Sequence, residues 1–387
     1  MDVKTIKKVA VIGSGAMGSG IAEVHIVNGY SVTMVDVNEE FLNNATGKIK
    51  KNLEFLVSKN KMSQEAANEA LAKLTTMVNL GAAIKDADCI IEAVPELMDI
   101  KKNIFKIVSD SSSKDAIIAS NTSSLSISEL AQSVSEPSRF AGFHFFNPVN
   151  RMRLVEVIYG EKTSDTTINT LMDLGTKLGK VAIKVLRDRP GFIVNRINAP
   201  LQILWSAVLD EGTITPDSID TLMKDNGAKM GPFELMDFVG LDVIYNVMQY
   251  YEKTLSPQWK PGRFITERMK KNELGMKTGK GIYVWQGGKA MIDTSHKTDI
   301  IKPVDPLAVQ LNEAIRVLKE KVARSAEDID RGQEAGMNQP GPFKTAASID
   351  HNLIARRLQW LSAAYNLSYI NPEPEILDGS FKSMIQA

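Results

Sequence analysis

The chain has 387 residues, 43% of them hydrophobic and 24% charged, with 46 basic and 46 acidic side chains. That length suits two or three domains with substantial cores, and the balanced charge leaves no global field for nucleic acid or a membrane surface. One cysteine, Cys89, excludes an intrachain disulfide and offers no metal-binding cluster, so no metal is expected. It lies in the apolar run "DCIIEAV", the setting of a buried strand residue. No apolar run reaches transmembrane length, and "MDVKTIKKVAVIG" passes from charge straight into a strand pattern without a signal-type apolar region. A cytoplasmic protein with no membrane or nucleic-acid partner is expected.

"KKVAVIGSGAMGSGIAEVHIVNGYSVTMVDVN" reads as strand, glycine turn, helix and strand. Val9 to Ile12 form the apolar, β-branched run of a parallel strand buried on both faces. Gly13, Gly15 and Gly18 then give G-x-G-x-x-G where a helix begins. The first permits a tight turn, the second lets the backbone approach a pyrophosphate, and the third lets helix and strand pack closely. Gly13, Gly15, Ala16, Met17 and Gly18 are therefore candidate cofactor contacts, and the helix should end near Asn28-Gly29. The second strand ends at Asp36, which can accept hydrogen bonds from both adenosine ribose hydroxyls and would repel a 2′-phosphate, favouring NAD over NADP.

Residues 39 to about 74 interrupt the pattern with two helices carrying Lys48, Lys50, Lys51, Lys59 and Lys61. Such a charge run is either a solvated helical hairpin or a basic surface for a phosphorylated substrate handle. The alternation of strand and helix resumes at "DADCIIEAVPE", continues with a helix from Leu97, and returns to a strand in "AIIASN". The hydroxyl-rich turn "SNTSSLSISEL" follows, at the strand end where open α/β sheets bind ligands. Ser124 or Ser126 can instead cap the next helix.

"RFAGFHFFNPVNRMRLVEVIYG" places a strand ending at His144, a turn at Asn147-Pro148, and a second strand bearing Glu156. A histidine among aromatic residues is either a packed core residue or a base set for proton transfer. Alcohol oxidation needs a base for the hydroxyl proton while hydride leaves the carbon, and histidine suits that task near neutral pH. A buried glutamate on the far ring nitrogen would fix its tautomer and balance the imidazolium. The nicotinamide-type domain preceding it favours the base.

The segments "GSGAMGSGIA", "ASNTSSL", "FAGFHFFNPV", "LVEVI", "RPGFIVNRI" and "KTGKGIYVW" closely resemble those of the 3-hydroxyacyl-CoA dehydrogenases, in family order from residue 7 to about 285. The resemblance implies reversible NAD-dependent oxidation of an (S)-3-hydroxyacyl-CoA to the 3-oxoacyl-CoA, with a short acyl chain such as 3-hydroxybutyryl. It further implies His144 as base, Glu156 as its orienting partner, and Ser123 and Asn195 near the reacting oxygens. By the same resemblance Glu96 and Lys101 contact the nicotinamide side of NAD and Lys59 meets the CoA phosphates. Asn52 stands where the family can carry a serine at the CoA site.

Residues 191 to 290 read as helical, with a cap at Gly212. A pattern then recurs at an offset of 110: Ile219-Asp220 matches Ile329-Asp330, and Gly231-Pro232-Phe233 matches Gly341-Pro342-Phe343. The later copy has no "PGFIVNR", and Asp305 in the linker-like "KPVDPLA" stands opposite Asn195, as in a scaffold without a second site. The expected architecture is an α/β Rossmann-type domain (1–187, with a helical-hairpin insertion at about 38–75), then an all-α domain as two tandem copies (188–298 and a degenerate 299–387). Simple family members dimerise through one helical domain, so the second copy is expected to replace the partner in a monomeric pseudo-dimer, with a homodimer as the alternative. Longer relatives are fused to an enoyl-CoA hydratase, which makes association or fusion with one a further expectation. A sugar-acid dehydrogenase of gulonate type shares the His, Glu and glycine motifs and is the rival activity. Hydroxyisobutyrate-type enzymes, which use a catalytic lysine, and a non-catalytic NAD-binding protein fit less well.

Overall fold

Short apolar strands alternating with helices wind into one sheet, because each strand must be covered on both faces. The structure is a computed structural model that describes residues 3–385. Its strands are β1 (Lys8–Ile12), β2 (Ser31–Val35), β3 (Leu74–Met77), β4 (Cys89–Glu92), β5 (Ile117–Ser120), β6 (Phe140–Phe145), β7 (Leu154–Ile158) and β8 (Val181–Val185). They lie in the order β3-β2-β1-β4-β5-β6-β7-β8, parallel from β3 to β6 and reversed in β7 and β8. The chain winds outward in both directions from β1 and β4, so the carboxyl ends of these two strands flank the crevice where such sheets bind ligands. Cys89 is buried in β4, as its apolar run implied.

The sequence left two strands unremarked. β3 is a mostly exposed edge strand of Leu-Thr-Thr-Met, with no apolar run to announce it. β8 pairs parallel with β7 and is reached through the helix Asp165–Lys177. β6 also runs one residue past His144, to Phe145.

The described residues divide into two compact units. The sheet unit runs to Phe192 and also takes in Lys321–Arg324 and Arg331–Gln339. Backbone hydrogen bonds fix these late segments to it: Arg153 N donates to Ala335 O at 3.1 Å, and Leu186 N to Val322 O at 2.8 Å. Not all of residues 299–387 thus groups with the helices, because the amides at the start of β7 and just past β8 take partners from them.

His25 is fully buried in the helix Ala16–Val27, with Nδ1 on the Ile21 carbonyl at 2.7 Å and Nε2 without a hydrogen-bond partner among the described residues. Burial, aided by nearby Lys180, pushes its pKa from 6.5 down to about 4. The folded protein therefore holds a neutral ring between those limits while the unfolded chain takes up a proton. This contribution is complete above pH 6.5 and is lost as pH falls towards 4, amounting to about 3 kcal/mol. Urea unfolding of wild type and His25→Gln at pH 7 and 4.5 should show a smaller loss in the variant; equal losses would acquit His25.

The second unit holds Ile193–Glu320, Ser325–Asp330 and the chain from Pro340 on. It is helical apart from a small hairpin, Trp285–Gln286 with Lys289–Ala290, which the expectation of an all-helical region did not include. Asp220 accepts from Phe233 N at 2.9 Å and Glu234 N at 2.8 Å. Asp330 accepts from Phe343 N at 3.0 Å and Lys344 N at 2.8 Å. In both places a buried carboxylate caps a helix whose first residue, proline, has no N–H to cap. Burial pushes the Asp220 pKa up to about 6 against the pull of those N–H groups.

Arg196 and Glu313, 2% and 0% exposed, form a buried ion pair. Arg196 also meets Glu320 at 2.9 Å, while Glu313 accepts from the Tyr369 hydroxyl at 2.9 Å and pairs with Arg316 at 3.1 Å. Burial works against the Arg196 charge, yet Glu313, Tyr369 and Glu320 hold its pKa above the ordinary value. Asp305, buried, takes a two-pronged contact from Arg357 with both bonds at 2.7 Å. Among the described residues no helix is long and apolar enough to cross a membrane.

Candidate active site

The glycine turn links β1 to the helix Ala16–Val27. Gly13 has φ +97°, and a Cβ there would lie 2.6 Å from the Ala93 carbonyl oxygen; a Cβ on Gly18 would lie 1.8 Å from that of Gly13. A Cβ on Gly15 would meet nothing within 4 Å. Two glycines are therefore required by packing, while the second faces open space at a helix N-terminus without a side-chain cap. Ala16 and Met17 open that helix. Exposed backbone there with free N–H groups fits a pyrophosphate.

Asp36 follows β2 and holds the turn: Oδ2 accepts from Ser14 N at 2.7 Å and Ser14 Oγ at 2.6 Å. Its Oδ1 accepts from Val37 N at 2.7 Å. The carboxylate is thus fixed beside the glycine turn, where a ribose bound with that pyrophosphate would meet it. These residues fit a dinucleotide.

Beyond β4 stands a charged network that the sequence only half disclosed. Lys101, 1% exposed, donates to Glu92 Oε1 at 2.5 Å, lies 3.2 Å from Glu96 Oε2, and reaches the Val94 carbonyl. Glu92 also accepts from Ser120 Oγ at 2.6 Å and Val94 N at 2.7 Å. Glu96 Oε1 gathers the hydroxyl-rich turn: it accepts from Thr122 Oγ1 at 2.5 Å, Ser123 N at 2.9 Å, and Ser124 N and Oγ at 3.2 and 3.0 Å. Burial would raise the Glu96 pKa, but Lys101 and these donors outweigh it and lower it. Lys101 is thus sunk beneath Glu96, and Glu96 is the member of the pair left partly exposed. Glu92 was not singled out from sequence, although a carboxylate closing the apolar run "CIIE" was a signal. Ser126 caps the next helix by accepting from Glu129 N, which leaves Ser123 and Ser124 in the turn itself.

His144 and Glu156 are opposite one another in the antiparallel β6–β7 ladder. His144 Nδ1 lies 2.8 Å from Glu156 Oε2, with the imidazole 5% exposed and the carboxylate fully buried. The register sets the two side chains beside each other, and the ring's orientation, with Nδ1 on the carboxylate, leaves Nε2 for another partner. Phe146 and Phe192 stand 4.5 and 5.7 Å from the imidazole, ring centre to ring centre. Phe192 adopts φ +53°, a left-handed conformation rare outside glycine. The Asn147–Pro148 peptide that follows β6 is cis.

The sheet unit therefore brings together the glycine turn, Asp36, Glu96, Lys101, Ser123, His144 and Glu156. Asn195 lies in the other unit, in the helix Val194–Asn198. Lys59, exposed, caps the helix Glu39–Ser58 with Nζ 5.6 Å from the Phe55 ring centre. Asn52 gives its amide to Glu23 at 2.8 Å.

Comparison with known proteins agrees with this geometry. The family model for the 3-hydroxyacyl-CoA dehydrogenase NAD-binding domain matches residues 8–189, and that for the C-terminal domain matches residues 191–285. A mitochondrial hydroxyacyl-coenzyme A dehydrogenase of Sus scrofa is 36% identical over 289 residues, 73% of this chain and 92% of that protein. A 3-hydroxybutyryl-CoA dehydrogenase of Clostridioides difficile is 38% identical over 279 residues, 71% of this chain and 98% of that one. The solved structure of a 3-hydroxybutyryl-CoA dehydrogenase from Escherichia coli is similar over 97% of this chain and 98% of its own, with TM-score 0.88 and 26% identity. With the glycine turn, the fixed Asp36 and the buried His144–Glu156 pair all on one sheet, the chain belongs to the 3-hydroxyacyl-CoA dehydrogenase family and is an NAD-dependent oxidoreductase.

Proposed function

We propose that the protein interconverts a short-chain (S)-3-hydroxyacyl-CoA and its 3-oxoacyl-CoA, with 3-hydroxybutyryl-CoA and acetoacetyl-CoA as the pair. The observation that carries this is the 2.8 Å contact between His144 Nδ1 and Glu156 Oε2, both groups buried. With Nδ1–H given to the carboxylate, Nε2 is the nitrogen that takes the substrate hydroxyl proton. Glu156 holds the tautomer and balances the charge that appears on the ring. Bound NAD+ supplies the acceptor for the hydride that leaves C3. Ser123, in a turn held by Glu96, donates towards the reacting oxygen. Phe146 and Phe192 keep bulk water from the ring. Lys59 and the exposed lysines of its helix serve the phosphates of CoA, which also weighs against the sugar-acid rival.

Oxidation of NADH followed at 340 nm with acetoacetyl-CoA, repeated with NADPH and with free acetoacetate, tests the assignment. Turnover with NADH and the CoA ester alone is the expected result. Turnover of a free sugar acid with inert acetoacetyl-CoA would overturn it. Asp36→Ser is expected to reduce the ratio of kcat/KM for NADH over NADPH by about ten- to a hundredfold, as hydrogen bonds to a charged group are lost. An unchanged ratio would show that another residue reads the ribose.

The segment after residue 298 is proposed to be a degenerate copy of the first helical domain. Asp220 and Asp330 make the same pair of helix caps 110 residues apart, which supports it. Asp305, locked by Arg357, is then a scaffold anchor where the first copy has Asn195. The pseudo-dimer follows: a light-scattering mass of one chain is expected, and twice that mass would refute it. A cytoplasmic location and association with an enoyl-CoA hydratase remain part of this proposal, and cell fractionation with co-purification of hydratase activity tests both.

A further inference from the structure

Glu23 is a buried carboxylate, 3% exposed, that none of the chemistry above uses. It stands on the helix Ala16–Val27, beyond the glycine turn. Its Oε2 accepts from Asn52 Nδ2 at 2.8 Å and its Oε1 from Asn150 Nδ2 at 3.1 Å. A carboxylate out of water is costly unless its oxygens are satisfied, and here both are met by amides from distant segments. Asn52 belongs to the helix Glu39–Ser58, and Asn150 to the loop that follows β6.

Each segment bears on the site. Lys48, Asn52 and Lys59 are exposed and recur at spacings of four and seven, which places them along one helical face. Asn52 is thus the central residue of the basic face, and its amide is committed to Glu23. The loop of Asn150 begins directly after the His144 strand and is held at two further points. Val149 packs on Gly20 of the cofactor helix, where an added Cβ would lie 2.9 Å from the valine Cβ. Lys180 Nζ donates to the carbonyls of Val149 and, at 2.7 Å, Met152.

We propose that Glu23 is a positioning residue for the nucleotide handle of the substrate. By anchoring Asn52 it sets the basic face against the cofactor helix, and by anchoring Asn150 it ties that setting to the loop leaving the catalytic strand. This rests on the CoA-ester activity proposed above. A substrate without the handle, acetoacetyl-N-acetylcysteamine, separates the two ideas. If wild type shows the same KM for this thioester and for acetoacetyl-CoA, the handle is not read, and both the CoA assignment and the role of Glu23 fall.

If wild type does prefer the CoA ester, Glu23→Ala is expected to raise its KM about tenfold, the worth of one hydrogen bond to a charged group. The kcat, and kcat/KM for the truncated thioester, should stay within about twofold. Asn52→Ala, at a position exposed on the helix Glu39–Ser58, should raise KM for the CoA ester similarly. The double variant should be no worse than either single one by more than about twofold, because both remove the same link. Equal losses on the two substrates would reduce Glu23 to a merely structural residue, and multiplying effects would show that Asn52 acts without it. Glu23→Gln keeps the side-chain volume and one acceptor, so a smaller rise in the same direction is expected; no rise in KM from either Glu23→Gln or Asn52→Ala would overturn the proposal.

Discussion

Alanine in place of His144 is expected to lower turnover by about two to four orders of magnitude while NADH still binds. The expectation follows from the ladder pairing of β6 and β7, which sets His144 opposite Glu156, and from the hydrogen bond that commits Nδ1 to the carboxylate. No other described histidine can substitute. His25 is sealed in a helix, while His296 and His351 pair with Asp293 and Asp350 of the second unit. The glycine turn and Asp36 share no hydrogen bond with His144, so the NADH fluorescence titration should be unchanged. Glu156→Gln should fall part of the way, since an amide oxygen can still accept from Nδ1–H but cannot balance the imidazolium. Near-normal turnover in His144→Ala would remove the ring from the mechanism and return it to the core.

Glu313→Ala is expected to destabilise the fold by about 3–5 kcal/mol, the cost of leaving one member of a buried ion pair without the other. Arg196 would remain 2% exposed with only the half-exposed Glu320 to meet its charge, and the Tyr369 hydroxyl would lose its acceptor. Replacing both partners, Arg196→Met with Glu313→Met, should restore most of the stability, because desolvation of two charges is then avoided. Urea unfolding monitored by tryptophan fluorescence reads both variants. A single variant within about 1 kcal/mol of wild type would show that the pair is replaceable by water or by neighbouring groups.

The elements legible in the sequence were those whose cause is local. Val9–Ile12, the glycine turn and Asp36 lie within one strand-helix-strand stretch, and the His144–Glu156 pair is separated only by a short reversal. Apolar runs and turn residues suffice to place them. β3 was missed because an edge strand need not be apolar, and its Leu-Thr-Thr-Met carries no alternation to read. The network around Glu92 and Glu96 was partly missed because β5 and the turn after it reach back to β4 and the loop beyond it across 26 to 28 residues. Glu23 was invisible for a stronger version of the same reason: its partners are 29 and 127 residues away. Nor does any local pattern tell Arg331–Gln339 to join the sheet unit, since that depends on which amides the end of a sheet leaves free.

The Arg196–Glu313 pair, whose members lie 117 residues apart, also bears on how such a chain can change over generations. A lineage that shed residues 299–387 in one step would remove Glu313 and Glu320 together and leave Arg196 with neither carboxylate. The arginine would first have to be exchanged for an apolar residue, and that exchange alone strands Glu313 while the segment is still present. Each order of events passes through a weakened protein. The late segment is thereby entrenched, and its persistence needs no selection for anything it does to substrate.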